Sequence, residues 1–214
     1  MVVAIDGPSG VGKSTVSRAV AAALGVPYLD TGAYYRMATL VTLRSGGDPA
    51  DPASVLASLR AVDVDFADGH LLLDGRDVSA DLRGPRVTAV VSVVAAHPSV
   101  RVAVVDLQRA WVARHGGEAV VEGRDIGTVV FPHSPVKVFL TADPSIRARR
   151  RAADPEAAGH TVEGILEQIE RRDEADSSRE ASPLKAADDA VTIDTSQLTI
   201  AQVVGKVLDI VGKV

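Results

Sequence analysis

The chain has 214 residues, enough for one α/β domain with insertions and a sizeable buried core. Hydrophobic residues make up 46% and charged ones 24%, and the absence of cysteine excludes a disulfide framework and a thiolate metal site. The net charge of −5 argues against a nucleic-acid polymer as partner, and with no membrane-length apolar run and no leader-like start the expected address is cytoplasmic.

The first element is the apolar run Val2-Val3-Ala4-Ile5, a strand. Gly7-Pro8-Ser9-Gly10-Val11-Gly12-Lys13-Ser14-Thr15 follows, and Val16, Val20, Ala23 and Leu24 then recur at helical period. Strand, glycine-rich turn and helix is the context in which G-x-x-x-x-G-K-[ST] is a phosphate-binding loop. Glycines at 7, 10 and 12 let the backbone N–H groups fold inward without Cβ clashes. Together with the positive end of the following helix they cradle the phosphates of a nucleoside triphosphate. Lys13 adds a mobile charge for the β- and γ-phosphates, and the Ser14 hydroxyl is a ligand for Mg²⁺.

Gly25-Val26-Pro27-Tyr28-Leu29-Asp30 reads as a helix-ending glycine and a short strand. Thr31-Gly32-Ala33-Tyr34-Tyr35-Arg36 leads into a helix that stops at Gly46-Gly47, and Asp51-Pro52 starts a short helix to about Leu59. Residues 62–78 change character. Val62, Val64 and Phe66 alternate with aspartates, and Asp68-Gly69 and Asp74-Gly75 bracket His70–Leu73, the pattern of a small antiparallel meander. Helices are expected at Pro85–Ala96 and Pro98–His115.

Ala119-Val120-Val121, running into Glu122-Gly123-Arg124-Asp125, and Val136–Leu140 are buried strands, the second followed by an arginine-rich helix. Thr161 caps a helix with Val162, Ile165, Leu166 and Ile169 on its apolar face. Ala190–Ile193 is the last strand, and Thr199 with Gln202 forms a capping box for the final helix. Short apolar strands alternating with helices indicate a parallel sheet, whose ligands bind beyond the carboxyl ends of the strands. The polar motifs after Ile5, Leu29, Val121 and Leu140 all fall there.

The phosphate loop alone leaves GTPases, motor ATPases, transporters and small kinases open. Guanine recognition usually uses Asn-Lys-x-Asp, and the chain contains no asparagine. Paired acids at the end of an apolar strand, as in motor ATPases, are missing too. What remains is arginine: Arg36, Arg101, Arg124, Arg147, Arg150, Arg151, Arg172 and Arg179. Transfer of a phosphoryl group between two nucleotides gathers negative charge that fixed guanidinium groups and a water-excluding lid would balance.

Asp30-Thr31-Gly32-Ala33-Tyr34-Tyr35-Arg36, Gly123-Arg124-Asp125-Ile126-Gly127-Thr128 and the tail string Arg172-Asp173 through Asp176, Arg179 and Ser182-Pro183-Leu184, joined to the phosphate loop, resemble the bacterial cytidylate kinases nearly end to end. The resemblance implies a P-loop NTPase-type α/β fold. It has a parallel five-stranded sheet with helices on both faces, an inserted α+β nucleoside monophosphate-binding subdomain and a short lid. The core would be residues 1–30 and 116–214, the insert 31–115 and the lid 147–162. It implies ATP and Mg²⁺ with CMP or dCMP as acceptor, and a monomer. Gly7 through Thr15 would bind ATP. Thr31 would contact the acceptor nucleotide, Arg36 would hold its phosphate, and Arg124 with Asp125 would flank it. Ser92 and Arg101 match positions that read cytosine, Arg172 belongs to the acceptor set, and Asp176 with Arg179 addresses the pentose hydroxyls and phosphate. Arg150 and Arg151 would belong to the lid over the ATP phosphates, with Arg147 beside them. Lys13, Arg124, Asp125, Arg150, Arg151 and Arg179 would be the catalytic set. Glu122 stands where the family often has an aspartate. The alternatives are a P-loop kinase for UMP, dTMP or shikimate, and a non-catalytic nucleotide-binding regulator.

Overall fold

The computed structural model describes residues 1–67, 70–153, 159, 161–179 and 182–214. The expected Asp68-Gly69 turn and positions 154–158 and 160 of the expected lid lie outside the described residues. The chain divides into two compact units, Met1–Tyr28 with Glu118–Val214, and Leu29–Gly117.

The main sheet has five strands in the order β2-β6-β1-β7-β8, with β1 Val2–Asp6, β2 Tyr28–Asp30, β6 Ala119–Gly123, β7 Val136–Thr141 and β8 Val191–Asp194, and all of it but Leu29 and Asp30 of β2 belongs to the first unit. The pairs β1–β6, β1–β7 and β7–β8 are parallel. The central strands are buried on both sides, which is why they read as unbroken Val/Ile/Ala runs. Strand β6 runs two residues beyond the apolar run Ala119-Val120-Val121, because its pairing with β1 continues through Ile5–Glu122 to Asp6–Gly123. Helices α1 (Lys13–Leu24) and α8 (Ile200–Val211) pack on the sheet through Val16, Val20, Val203 and Val207. The Thr199–Gln202 capping box is formed, with the Gln202 amide donating to Thr199 Oγ1 at 3.3 Å. Helices α6 (Pro144–Ala152) and α7 (Val162–Ser177) share a smaller core of Ala148, Ile165 and Ile169. After β6 the chain makes a π-helical turn, Ile126–Val130, which no periodicity in the sequence foretells.

The second unit contains α2 (Thr31–Arg44), α3 (Pro52–Arg60), the meander β3 (Val64–Ala67), β4 (His70–Leu73) and β5 (Arg76–Asp77), then α4 (Pro85–Ala96) and α5 (Pro98–Arg114). Asp30 caps α2 through the Gly32 amide, and Asp51 caps α3 through Ala53 and Ser54. Trp111 is core: its indole N–H donates to the Phe66 carbonyl at 2.7 Å, and its ring meets Phe66 edge-on at 5.9 Å. That contact fastens the meander to α5. Among the described residues no single helix is long and apolar enough to cross a membrane.

Candidate active site

The phosphate loop leaves β1 flush against β7. A Cβ on Gly7 would stand 2.2 Å from the Leu140 carbonyl oxygen, at a φ of +148°, so this position accepts glycine only. On the other side of the loop a Cβ on Gly10 would meet the Arg147 side chain at 3.0 Å. Gly12 opens α1 in a left-handed conformation with no side-chain cap, and the first helical turn carries no acid. The positive end of α1 is therefore uncompensated by protein, the condition for holding phosphate. Ser14 and Thr15 lie on that first turn. Lys13 is buried, and its ammonium donates to the Pro8 carbonyl at 2.6 Å. Burial pushes the Lys13 pKa down to about 7, and Arg124 and Arg172 add repulsion against the pull of Glu122 and Asp6.

Beyond β6 the guanidinium groups are tethered. Arg124 donates from Nε to Asp176 Oδ2 at 2.9 Å and from Nη1 to the Gly7 carbonyl at 3.1 Å. Asp176, buried on α7, also takes Arg179, so one carboxylate orients two arginines. At 2% exposure Asp176 is no part of a solvated helix face. Asp125 is buried beside Arg124, and Arg172 acts electrostatically on Lys13.

The arginines of α6 do different jobs. Arg147 is buried and donates to the Ser9 carbonyl at 3.1 Å, to the Ala142 carbonyl at 3.2 Å and to Asp173 Oδ2 at 2.5 Å. It braces the phosphate loop from below. Arg150 donates to the carbonyl and hydroxyl of Thr195 at 2.7 and 3.0 Å, and Thr195 in turn donates to the Val11 carbonyl at 3.2 Å. Arg151 is half-buried on the same helix.

In the second unit, Thr31 is buried at the start of α2, with Gln108 Nε2 3.5 Å from its carbonyl. Arg36 donates to the Leu82 carbonyl at 3.1 Å and to the Thr88 hydroxyl at 3.0 Å. Arg101 is buried, donates to the Ala95 carbonyl at 3.0 Å and lies over the Tyr35 ring at 5.1 Å. Ser92 is exposed on α4.

Three contributors escaped the sequence reading. Asp6 is a buried carboxylate bonded to the Ile126 and Gly127 amides; an acid closing an apolar strand was its only signal. Tyr28 donates its hydroxyl to the Glu122 carboxylate. Gln108, fully buried, carried no motif at all. Among the described residues no cluster of three or more His, Asp or Glu side chains could hold a metal. The Ser14 hydroxyl on the first turn of α1 is an oxygen donor that would suit a hard cation arriving with phosphates and keeping its waters.

A bare helix N-terminus with a buried lysine beyond the carboxyl ends of parallel strands, and an arginine held against the loop by a buried acid of α7, is the equipment of a P-loop phosphotransferase. The cytidylate kinase family model matches residues 3–213. A cytidylate kinase of Mycobacterium avium (strain 104) is 53% identical over 217 residues, covering 99% of this chain and 95% of that protein. One from Corynebacterium glutamicum is 51% identical over 217 residues, covering 99% and 94%. Among solved structures, a shikimate kinase from Bacteroides thetaiotaomicron has a TM-score of 0.50 at 15% identity, covering 99% of this chain and 98% of that one, a likeness of fold alone. The chain belongs to the cytidylate kinase family, and is a nucleoside monophosphate kinase that phosphorylates CMP at the expense of ATP.

Proposed function

We propose that the enzyme phosphorylates both CMP and dCMP by direct in-line transfer, with these residues as its site. Gly7 through Thr15 bind the ATP phosphates, and Lys13 follows the charge as it moves to the transferred group. The Ser14 hydroxyl would hold the Mg²⁺ that accompanies ATP, and the cation would supply neutralisation of the phosphate charge. In the first unit Arg124, Asp125, Arg172, Asp176 and Arg179 serve the acceptor phosphate and pentose. In the second, Thr31, Arg36, Ser92 and Arg101 serve its phosphate and base. Residues 31–115 are the acceptor-binding insert and 147–162 the lid, with Arg150 and Arg151 facing the ATP phosphates. No general base is required, because a nucleotide phosphate is already ionised near neutral pH. The same reading has the enzyme as a cytoplasmic monomer acting on free nucleotides, with neither a membrane nor a nucleic-acid polymer as partner.

The observation that carries the reading is the pairing of Arg124 with both Asp176 and the Gly7 carbonyl, which aims a guanidinium at the mouth of the phosphate loop. A protein that only senses one nucleotide has no use for it. The test is ADP release from ATP–Mg²⁺ with CMP, dCMP, UMP, AMP, dTMP and shikimate as acceptors. Turnover concentrated on CMP and dCMP is expected. Fast turnover on another acceptor would sink the cytosine assignment, and ATP binding without ADP release would return the regulator reading.

A further inference from the structure

Strands β1 and β6 run in parallel register as far as Asp6 and Gly123. There they part: one continues into the phosphate loop, the other into Arg124, Asp125 and the π-helical turn. Sheet hydrogen bonds no longer relate the two, although donor and acceptor groups must be related to within a fraction of an ångström. Other bonds take over. Asp6 Oδ1 accepts the Ile126 amide at 2.8 Å and Oδ2 accepts the Gly127 amide at 2.7 Å. The next residue, Gly7, accepts Arg124 at its carbonyl.

We infer that Asp6 is a positioning residue: its carboxylate locks the Gly123–Gly127 turn in register with the phosphate loop, so that Arg124 and Asp125 meet the acceptor at a fixed distance from the donor. The two amides open a helical turn and have no acceptor within it, so they need an outside oxygen each. Only a carboxylate supplies two. An asparagine would turn its own N–H₂ toward one of them, and a serine would satisfy one at most. The chain keeps this acid although it is only 5% exposed and burial raises its pKa to about 6 against the two amide bonds. On the far side, a Cβ on Gly127 would touch the Lys137 stem at 3.2 Å and Asp6 Oδ2 at 3.4 Å, so the turn is pinched from both directions. Asp6 itself touches no nucleotide in this account; it acts through Arg124 and Asp125.

The inference rests on the assignment of Arg124 and Asp125 to the acceptor, and the experiment separates the two. Asp6→Asn is compared with Val207→Ala, a core change in α8 that lowers stability away from the site. Both are assayed well below their melting temperatures. Asp6→Asn is expected to lose on the order of 10²-fold in kcat for CMP, with the ATP dissociation constant within about threefold of wild type. Val207→Ala should keep its kcat. Wild-type kcat in Asp6→Asn, a loss no larger than that of Val207→Ala, or a parallel loss of ATP affinity would each overturn the inference. Arg124→Ala with unaltered CMP kinetics would instead overturn the acceptor assignment; a dead Arg124→Ala beside a fully active Asp6→Asn overturns the inference alone. Should Asp6→Asn fail to fold, amide exchange in the wild-type enzyme decides. Ile126 and Gly127 must exchange as slowly as the β6 amides, and exchange at open-peptide rates overturns the clamp.

Discussion

Asp176 and Arg124 are joined by a 2.9 Å hydrogen bond between a carboxylate that is almost fully buried and a guanidinium that is only partly so. The same acid takes Arg179 three residues on. One anion thus serves two cations. Asp176→Ala should therefore cost about 3 kcal/mol of stability, because it removes the buried carboxylate to which both guanidinium groups donate. It should also lower kcat for CMP on the order of 10²-fold, because both arginines lose their aim. Thermal melts and steady-state kinetics on one preparation check both. A variant with wild-type melting and turnover would show that the arginines are held by other contacts.

Lys13→Ala should lower kcat on the order of 10²-fold or more, about 3 kcal/mol of transition-state stabilisation, without disturbing the fold. Arg179→Ala should do the same. Near-normal turnover in either purified variant would contradict the site.

The depressed pKa of Lys13 makes ATP binding pH-dependent, with a definite sign. In the free protein the amine loses its proton near pH 7. Bound phosphates favour the ammonium and raise that value, so above pH 7 the complex holds one more proton than the free partners. ATP binding should take up protons there, and affinity should weaken as pH rises, approaching a factor of about ten per pH unit. Below pH 7 this contribution vanishes. Calorimetry at pH 8 in two buffers of different ionisation enthalpy measures the uptake, and Lys13→Met should abolish it.

Gly7→Ala and Gly25→Ala separate close approach from conformational preference. Both glycines have positive φ, but a Cβ at Gly7 falls 2.2 Å from a backbone oxygen, whereas at Gly25 nothing lies within 4 Å. Gly25→Ala should cost about 1 kcal/mol and leave ATP binding intact. Gly7→Ala has to push β7 and the phosphate loop apart, and should abolish ATP binding. Equal effects in the two variants would refute this contrast.

Arg147 and Asp173 should show coupling between α6, α7 and the phosphate loop. Removing Asp173 leaves the buried Arg147 guanidinium without its carboxylate and should lose about 3 kcal/mol, and removing Arg147 leaves a partly buried carboxylate and should lose somewhat less. The double variant should lose much less than their sum, with a coupling energy of about 1 kcal/mol or more. The Arg147 variants should also bind ATP more weakly, since the Ser9 carbonyl loses its donor. Additive losses in a denaturant-based double-mutant cycle would refute the coupling.

What the sequence determined by itself is local chemistry. A strand that ends in a glycine-rich turn and reopens as a helix with Lys13 and Ser14 can scarcely be anything but a phosphate cradle, because glycine, helix dipole and lysine all act within a few residues. Caps at Thr161 and Thr199, the meander and the aspartate start of α3 were legible for the same reason: each is decided by neighbours in the chain. The arginines were legible as a set but not as individuals. Arg147, grouped with the lid, turns out to brace Ser9, and Arg150 reaches Thr195. Asp6 gave almost no sign of its partners, which lie 120 and 121 residues away. Whether a charged side chain is a solvated ornament or a buried tether depends on what the parallel crossovers bring beside it, and on how much water they remove. That was decided by the tertiary structure alone, since desolvation and long-range pairing are properties of the assembled sheet and not of any stretch of chain.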